Sequence, residues 1–233
     1  MNEQLEKEHA SEGTLRCHQH GREYPVGSEC GICKRERLNR EEAVRLRLSG
    51  RAEEKVEAVA SLDSFPEVIR ETDAKLLPFQ LVEAVEAWNP SERRSVIIFG
   101  ATRTGKSRAS FLLARKFAEA TGKSPVFHSM RTFEAAIMKS FRDKRHDEVL
   151  DGLCRAPLLI LDDFGKEKLT DRIASDLFAL IDDRTSNRRP TVITTNLNGD
   201  ALEARLSHSD AELAAALVAR LREFFVTVFA PSR

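Results

Sequence analysis

Residues 100–107 read GATRTGKS and fit the pattern G-x-x-x-x-G-K-[ST], which predicts a phosphate-binding loop between a strand and a helix. The apolar run 96–99 precedes the motif, and apolar residues at helical spacing follow it. Glycines let successive backbone N–H groups face phosphate oxygens, and the amino terminus of the helix adds a favourable dipole. The chain is therefore expected to hold a nucleoside triphosphate at the carboxyl end of a strand.

Two side chains of this loop have expected roles of their own. Lys106 is expected to reach the β- and γ-phosphates, and the Ser107 hydroxyl is expected to ligate Mg²⁺. ATP and Mg²⁺ are thus the predicted ligands. The predicted nucleotide-binding residues are Gly100, Ala101, Thr102, Arg103, Thr104, Gly105, Lys106 and Ser107.

Polar side chains follow two other apolar runs. Asp162 and Asp163 come after residues 158–161, and Asn196 ends the run that starts at Thr191. Asp162 is expected beside Mg²⁺, through the waters of the metal. Asp163 is expected to polarise the attacking water, and Asn196 to orient it near the γ-phosphate. The alternative is that the two aspartates cap a loop and that the asparagine forms a turn.

Short apolar runs alternate with helical patterns from residue 76 onward, which is typical of an α/β fold whose parallel sheet is covered by helices on both faces. The predicted strands are residues 96–99, 126–128, 158–161, 191–194 and 225–229. The predicted helices are residues 79–88, 107–120, 132–141, 173–183 and 211–222. The predicted domains are an amino-terminal region of residues 1–60, a linker of residues 61–75 and an ATPase domain of residues 76–233.

A short segment rich in glycine carries the pairs Cys17-x₂-His20 and Cys30-x₂-Cys33. Thiolate and imidazole ligands at this spacing favour a tetrahedral Zn²⁺ site. The segment has few apolar residues, so a bound metal would supply most of its folding free energy. The alternative is a flexible tail with redox-active thiols. Residues 38–60 follow with a helical pattern, and Cys154 is expected to be a partly buried residue without a role.

Charge and hydropathy exclude some classes of protein. Lys plus Arg and Asp plus Glu both number 37, so the formal net charge is zero and a uniformly basic nucleic-acid-binding chain is excluded. Contacts with nucleic acid would need a local basic patch or an oligomer. No apolar run is long enough to cross a bilayer, and the polar start is unlike a secretory signal. A cytoplasmic location is therefore expected.

The order of these motifs resembles the DnaC/DnaI/IstB group of AAA+ ATPases, and most closely the DnaC-type helicase loaders. The residues that carry the resemblance are the Cys/His pairs from Cys17 to Cys33, GATRTGKS, LLILDDFG, IDDRTSNRRPTVITTNLN and ARLREFFVTVF. The likeness covers nearly the whole chain from Cys17. It implies an AAA+ P-loop NTPase core preceded by a small zinc-binding module and a helix.

The resemblance also implies partners and further site residues. Such loaders bind a DnaB-type hexameric replicative helicase through their amino-terminal region, assemble as an open spiral of like subunits and bind single-stranded DNA. Arg220 would act as an arginine finger on the nucleotide of a neighbouring subunit, a task that suits the fixed fork of a guanidinium. Arg233 would serve as a second sensor. Phe141 and Arg142 would contact single-stranded DNA by stacking and charge, although Phe141 could equally be a core aromatic residue.

Two other functions stay open at this point. An IstB-like helper of a transposase would bind duplex DNA and a different partner, and the Cys/His segment argues against it. A zinc adaptor whose loop binds nucleotide without hydrolysis is the third possibility. Asp163 keeps it open, because most AAA+ proteins carry the longer glutamate there.

Overall fold

The computed structural model describes residues 14–17, 23–28, 30, 34, 61–166, 169–207 and 211–232. The chain divides into two compact units, Met1–Glu53 and Glu54–Arg233. The helix predicted for residues 38–60 lies outside the described residues. Within the described part, no helix has the length and apolar character needed to cross a membrane.

The described part of the first unit is an antiparallel hairpin. Strand β1 (Thr14–Arg16) pairs with β2 (Glu23–Pro25), with Leu15 opposite Tyr24. A turn follows β2, in which the Ser28 N–H donates to the Pro25 carbonyl at 3.0 Å. Cys17 follows β1 and Cys30 follows this turn, so the hairpin carries one cysteine after each strand.

The second unit alternates strands and helices. Its strands are β3 (Ser95–Gly100), β4 (Val126–Ser129), β5 (Leu159–Phe164), β6 (Thr191–Thr195) and β7 (Phe225–Ala230). Its α-helices are α1 (Glu67–Arg70), α2 (Phe79–Ala87), α3 (Lys106–Thr121), α4 (Met130–Arg142), α5 (His146–Arg155), α6 (Asp171–Ser186), α7 (Gly199–Leu206) and α8 (Ala211–Phe224). Short 3₁₀ helices occupy Ser61–Ser64, Ala74–Leu76 and Pro90–Glu92.

The five strands form one parallel sheet in the order β4-β5-β6-β3-β7. Neighbouring residues of a strand alternate between two apolar clusters, as Leu159 and Leu161 lie in one and Leu158 and Ile160 in the other. Helices cover both faces, which explains why the strands are almost continuously apolar. The predicted α/β fold with a parallel sheet is confirmed.

Residues 61–75, which the sequence predicted to be a linker, instead contribute to the core of the second unit. Leu62 and Phe65 are 4% and 2% exposed, and both belong to the cluster that contains Ile98 and Leu113. The Phe65 ring lies 4.1 Å from that of Phe127 and 5.2 Å from that of Phe111, measured between centroids. Polar residues surround these two residues in the sequence, so the hydrophobic pattern did not predict that they are buried.

Candidate nucleotide site

The loop of residues 100–105 joins β3 to α3 and depends on two glycines. A Cβ atom on Gly100 would lie 2.3 Å from the Ala230 carbonyl oxygen on the neighbouring strand. Gly105 has a φ of 92° immediately before α3, and a Cβ atom there would lie 2.7 Å from the Leu77 side chain. A larger residue at either position would be strained or would clash, so the two glycines fix the path of the loop.

Lys106 begins α3, and its ammonium group lies inside the loop. The Nζ atom donates to the carbonyl oxygens of Gly100 at 3.0 Å and Ala101 at 2.6 Å. Burial lowers the pKa of Lys106, while the charges of Asp163 and Asp162 act to raise it. The cation is therefore held at the place where the loop would receive phosphate oxygens, with two carboxylates nearby.

A hydrogen-bonded group joins the loop to β5 and β6. The Ser107 hydroxyl donates to both carboxylate oxygens of Asp162, at 2.8 Å and 3.0 Å. The Thr194 hydroxyl donates to Asp162 Oδ1 at 2.5 Å, from the strand that lies between β5 and β3. Burial raises the pKa of Asp162, and the hydrogen bonds from Thr194 and Ser107 act to lower it. Strands β5 and β6 and the first turn of α3 thus meet at one carboxylate.

Asp163 and Asn196 stand beside this group. Asp163 has a φ of 61°, and its backbone N–H donates to the Thr194 hydroxyl at 3.1 Å. Its carboxylate lies 3.4 Å from the ammonium of Lys166. Asn196 directly follows β6 and is exposed. Both side chains line the same cleft as the loop, so the structure brings together the predicted residues 100–107, Asp162, Asp163 and Asn196.

The cleft has a volume of about 610 Å³, within the usual range of ligand sites of roughly 300–1,000 Å³. One side is apolar and comes from Val68 and Ile69, which the predicted linker contains, and from Leu76, which directly follows it. Arg108 and Lys166 add positive charge. Sequence reasoning missed these residues and also Thr194. A threonine pair at the end of an apolar strand was the signal for Thr194, since a buried hydroxyl needs a partner.

The residues present fit a magnesium–nucleotide complex. The Ser107 hydroxyl and the Asp162 carboxylate are oxygen donors of the kind that Mg²⁺ prefers. Lys106, Arg103 and Arg108 supply cationic groups near the loop for phosphate oxygens. The apolar side of the cleft is suited to the face of a base.

Arg220 lies away from this cleft in its own chain. It is on α8, where Nη2 lies 2.5 Å from Asp182 Oδ1 and the guanidinium carbon lies 5.6 Å from the centre of the Phe224 ring. The side chain is 36% exposed, so it remains accessible from outside. Arg233 falls outside the described residues.

Phe141 and Arg142 end α4. The Phe141 ring stacks on His146 at 4.0 Å between centroids, and the guanidinium of Arg172 lies 4.1 Å from the ring centre. Two groups this close to one ring occupy its two faces. A base could stack on Phe141 only after His146 or Arg172 moved, whereas Arg142 is exposed.

The predicted zinc ligands are only partly within the described residues. Cys17 and Cys30 are 7% and 4% exposed, while His20 and Cys33 lie outside the described part. Over the residues that are described, no group of three or more His, Cys, Asp or Glu side chains could hold a metal ion. The zinc site stays a prediction. Cys154 is half-buried, and burial raises the pKa of its thiol to about 11, as suits a residue without a chemical role.

Known proteins resemble the chain in sequence and in fold. The replicative helicase loader DnaI of Bacillus subtilis (strain 168) is 25% identical over 174 residues, covering 73% of this chain and 56% of DnaI. This chain thus matches little more than half the length of that relative. A crystal structure of DnaI has a TM-score of 0.62 at 18% identity, covering 72% of this chain and 95% of that one. A crystal structure of the DnaC helicase loader has a TM-score of 0.55 at 21% identity, covering 65% and 86%.

The family model described as IstB-like ATP binding protein matches residues 33–227, which include strands β3 to β6 and the first half of β7. The resemblance to the DnaC/DnaI/IstB group of AAA+ ATPases, drawn from the order of the motifs, is therefore confirmed. The chain belongs to the family of IstB-like ATP binding proteins.

Proposed function

We propose that the chain is an ATPase that loads a hexameric replicative helicase onto single-stranded DNA. The observation that carries the ATPase assignment is the Asp162 carboxylate, which accepts hydrogen bonds from Ser107 of the loop and Thr194 of β6. These bonds join the phosphate-binding loop to the acidic strand end beside an open cleft. The bound Mg²⁺ would be held by Ser107 and Asp162 and would neutralise charge on the phosphates.

Each remaining residue has a task in hydrolysis. Lys106 binds the phosphate oxygens once the nucleotide displaces the Gly100 and Ala101 carbonyls from its ammonium. The carboxylate of Asp163 accepts a hydrogen bond from the attacking water, and Asn196 orients that water. The water oxygen forms a bond to the γ-phosphorus as the bond to the β-phosphate oxygen breaks. Arg220 of a neighbouring subunit stabilises the charge on the phosphates.

The loader assignment rests on similarity to DnaI and DnaC, which are named as helicase loaders. The helicase is proposed to be of the DnaB type and to bind residues 1–60. The remaining chain is proposed to assemble with ATP into an open spiral and to contact single-stranded DNA. Because the net charge of the chain is zero, those DNA contacts are proposed to lie on local basic surfaces.

Lys106→Ala tests the nucleotide site directly. The variant lacks the ammonium group that lies inside the loop. Its rate of phosphate release should therefore be lower than that of wild type by at least about 100-fold, which is the usual effect of removing one group that stabilises charge in the transition state. Release is measured with and without single-stranded DNA and the host helicase. Lys139→Ala, an exposed lysine on α4, is the matched control. Full phosphate release by Lys106→Ala would reject the ATPase assignment.

An IstB-like helper of a transposase is the alternative that one observation favours, since the family model is that of IstB-like proteins. The helper would bind duplex DNA and would not associate with a helicase. Co-purification with the host replicative helicase, together with preference for single-stranded over duplex DNA, decides for the loader. The opposite pattern decides for the helper. A non-catalytic adaptor would bind nucleotide without DNA-stimulated phosphate release.

Zinc is proposed to bind Cys17, His20, Cys30 and Cys33. The burial of Cys17 and Cys30 after the two hairpin strands supports this assignment. Elemental analysis should give about one zinc per chain, because four ligands complete a tetrahedral site. Cys30→Ser should lower the zinc content, while Cys154→Ser, the matched control, should leave it unchanged. Equal zinc in wild type and Cys30→Ser would exclude the site.

A further inference from the structure

A second cleft lies at the opposite edge of the parallel sheet from the nucleotide site. It has a volume of about 360 Å³ and is formed where the chain enters the strands. Arg93 precedes β3, Lys123 precedes β4, Arg155 precedes β5, and Arg188 and Arg189 precede β6. The nucleotide loop follows the carboxyl end of β3, so the two clefts are about 20 Å apart, the length of a six-residue strand.

The lining of this basic cleft carries five cationic side chains and no carboxylate. Arg155 pairs with Asp151, and Arg189 pairs with Asp183, each at 2.9 Å. Among the ion pairs of the described residues, none involves Arg93, Lys123 or Arg188. In a chain whose charges balance overall, three exposed and uncompensated cations in one cleft make a local positive field.

A buried cation beneath the cleft adds to that field. Arg184 is 0% exposed and donates to the carbonyl oxygens of Leu153, Cys154, Ala156 and Pro190, and to the Thr191 hydroxyl. These acceptors belong to the segments that enter β5 and β6. They are all neutral, and no carboxylate is hydrogen-bonded to the guanidinium, although the charge of Asp183 acts on it. Arg184 does not itself line the cleft, but it lies behind Ala156 and Pro190, which do.

The backbone of the cleft is strained at two of its arginines. Arg93 has a φ of 53° and Arg188 a φ of 50°, in the left-handed region that favours glycine. Arg103 and Asp163 also have positive φ values, and both line the nucleotide cleft. Strained non-glycine residues concentrate at sites that bind ligands. The same feature occurs in both clefts, and also at Lys144, which lines neither of them.

We infer that the basic cleft binds consecutive phosphate groups of single-stranded DNA. Guanidinium and ammonium groups without local counter-charges are what a phosphate backbone requires, and the Ser91 and Thr121 hydroxyls stand beside them. The choice of DNA among polyanions rests on the proposed function. The assignment of the surface does not, because it follows from Arg93, Lys123, Arg188 and the buried Arg184. DNA would then bind at the amino-terminal ends of the strands, whereas ATP would bind at their carboxyl ends.

The test measures binding of a fluorescein-labelled oligo(dT) by anisotropy over a range of salt concentrations. The variant carries Arg93→Gln, Lys123→Gln and Arg188→Gln together, all at exposed positions. Each phosphate contact on a single strand contributes about 0.7 to the slope of log K against log salt. The slope should therefore fall by about 2, and the affinity at 0.1 M salt by about 100-fold.

Matched controls separate the site from charge in general. Arg131→Gln, Lys139→Gln and Arg205→Gln remove three charges elsewhere on the same unit and should leave the slope within error. Arg93→Lys with Arg188→Lys keeps the charges and should keep the wild-type slope. Magnesium-dependent affinity for a fluorescent ATP analogue and the unfolding temperature should be the same in all variants.

Each outcome discriminates. Equal slopes for the cleft variant and wild type would overturn the inference and leave the proposed function standing. Equal losses in the cleft and control triples would also overturn it. Competition by poly-glutamate as strong as by unlabelled oligo(dT) would reject nucleic acid as the ligand. Failure of wild type to bind DNA at all would count against the DNA part of the proposed function itself.

Discussion

Asp162 shows at the scale of one residue how the site opposes the stability of the fold. The residue is 6% exposed, and burial raises the pKa of its carboxyl group. The folded state thus holds the proton more tightly than the unfolded state does. Tighter proton binding in the folded state adds to the free energy of unfolding. This addition is complete below the ordinary pKa of 3.8 and is lost as the pH rises through the raised pKa. At neutral pH the ionised carboxylate therefore lowers the free energy of unfolding.

Asp162→Asn should make the nucleotide-free protein more stable while ending hydrolysis. The asparagine carbonyl can still accept from Thr194, but no charge is buried. The unfolding temperature at neutral pH should rise by about 2–4 °C, which corresponds to about 1 kcal/mol in a protein of this size. The gain should shrink as the pH is lowered towards 4. Calorimetry between pH 4 and 8 in EDTA measures it.

The neighbouring residue supplies the control for that measurement. The Asp163 side chain is 42% exposed, so Asp163→Asn removes a charge that water already solvates. It should slow hydrolysis without a comparable gain in stability. If both substitutions stabilised the protein equally at every pH, burial of the Asp162 charge would not be the cause.

At the scale of secondary-structure elements, Arg184 connects α6 to the segments that enter β5 and β6 through its hydrogen bonds. Arg184→Ala would remove a donor from five acceptors, four of them in buried hydrogen bonds, while the Cys154 carbonyl keeps its bond from Arg189. The loss should be about 3 kcal/mol or more, and the unfolding temperature should fall by about 10 °C. Urea unfolding followed by circular dichroism measures the loss.

Arg189→Ala is the comparison for this prediction. Arg189 also binds the Cys154 carbonyl, but its side chain is 31% exposed and water can replace it. Its removal should cost less than about 1 kcal/mol, as is usual for exposed ion pairs. Equal losses for Arg184→Ala and Arg189→Ala would mean that the buried guanidinium does not fasten these elements.

The sequence predicted best those elements whose hydrophobic pattern is uniform along their length. All five strands of the sheet are present within three residues of their predicted bounds, because each of them coincides with a short apolar run. Helix α5 was missed, since four of its ten residues are charged and only Val149, Leu150, Leu153 and Cys154 are apolar residues that pack against the core. The hairpin β1–β2 was missed as well, because three-residue strands carry too little pattern to detect.

At the scale of the whole molecule, the motifs predicted which residues meet but not what holds them. The order of the strand before the phosphate-binding loop, the strand before Asp162 and the strand before Asn196 predicted that Asp162 lies beside Ser107. Thr194 and the apolar side of the cleft were not predicted. Their roles depend on the packing of β6 against β5 and of residues 61–76 against α3, which no local pattern encodes.

The proposed role of Arg220 concerns the assembly of subunits, because this side chain lies away from the nucleotide cleft of its own chain. It pairs with Asp182 on α6, and the side chain is 36% exposed. In an assembly of subunits it would have to leave Asp182 to reach a neighbouring γ-phosphate. Arg222 lies two residues further along α8, pairs with Asp200 at 2.8 Å and is 57% exposed, which makes it a matched control.

Arg220→Ala should bind ATP like wild type and should lose about 10³-fold in turnover when the subunits are assembled with DNA and helicase, the scale of an arginine finger. Dilution to the monomer should abolish the difference, because the wild-type site then also lacks the neighbour's guanidinium. Phosphate release measured against protein concentration separates these regimes. Arg222→Ala should follow the wild-type curve. If Arg220→Ala slowed the dilute monomer as much as the assembly, Arg220 would act within its own chain, and the interface role would be wrong.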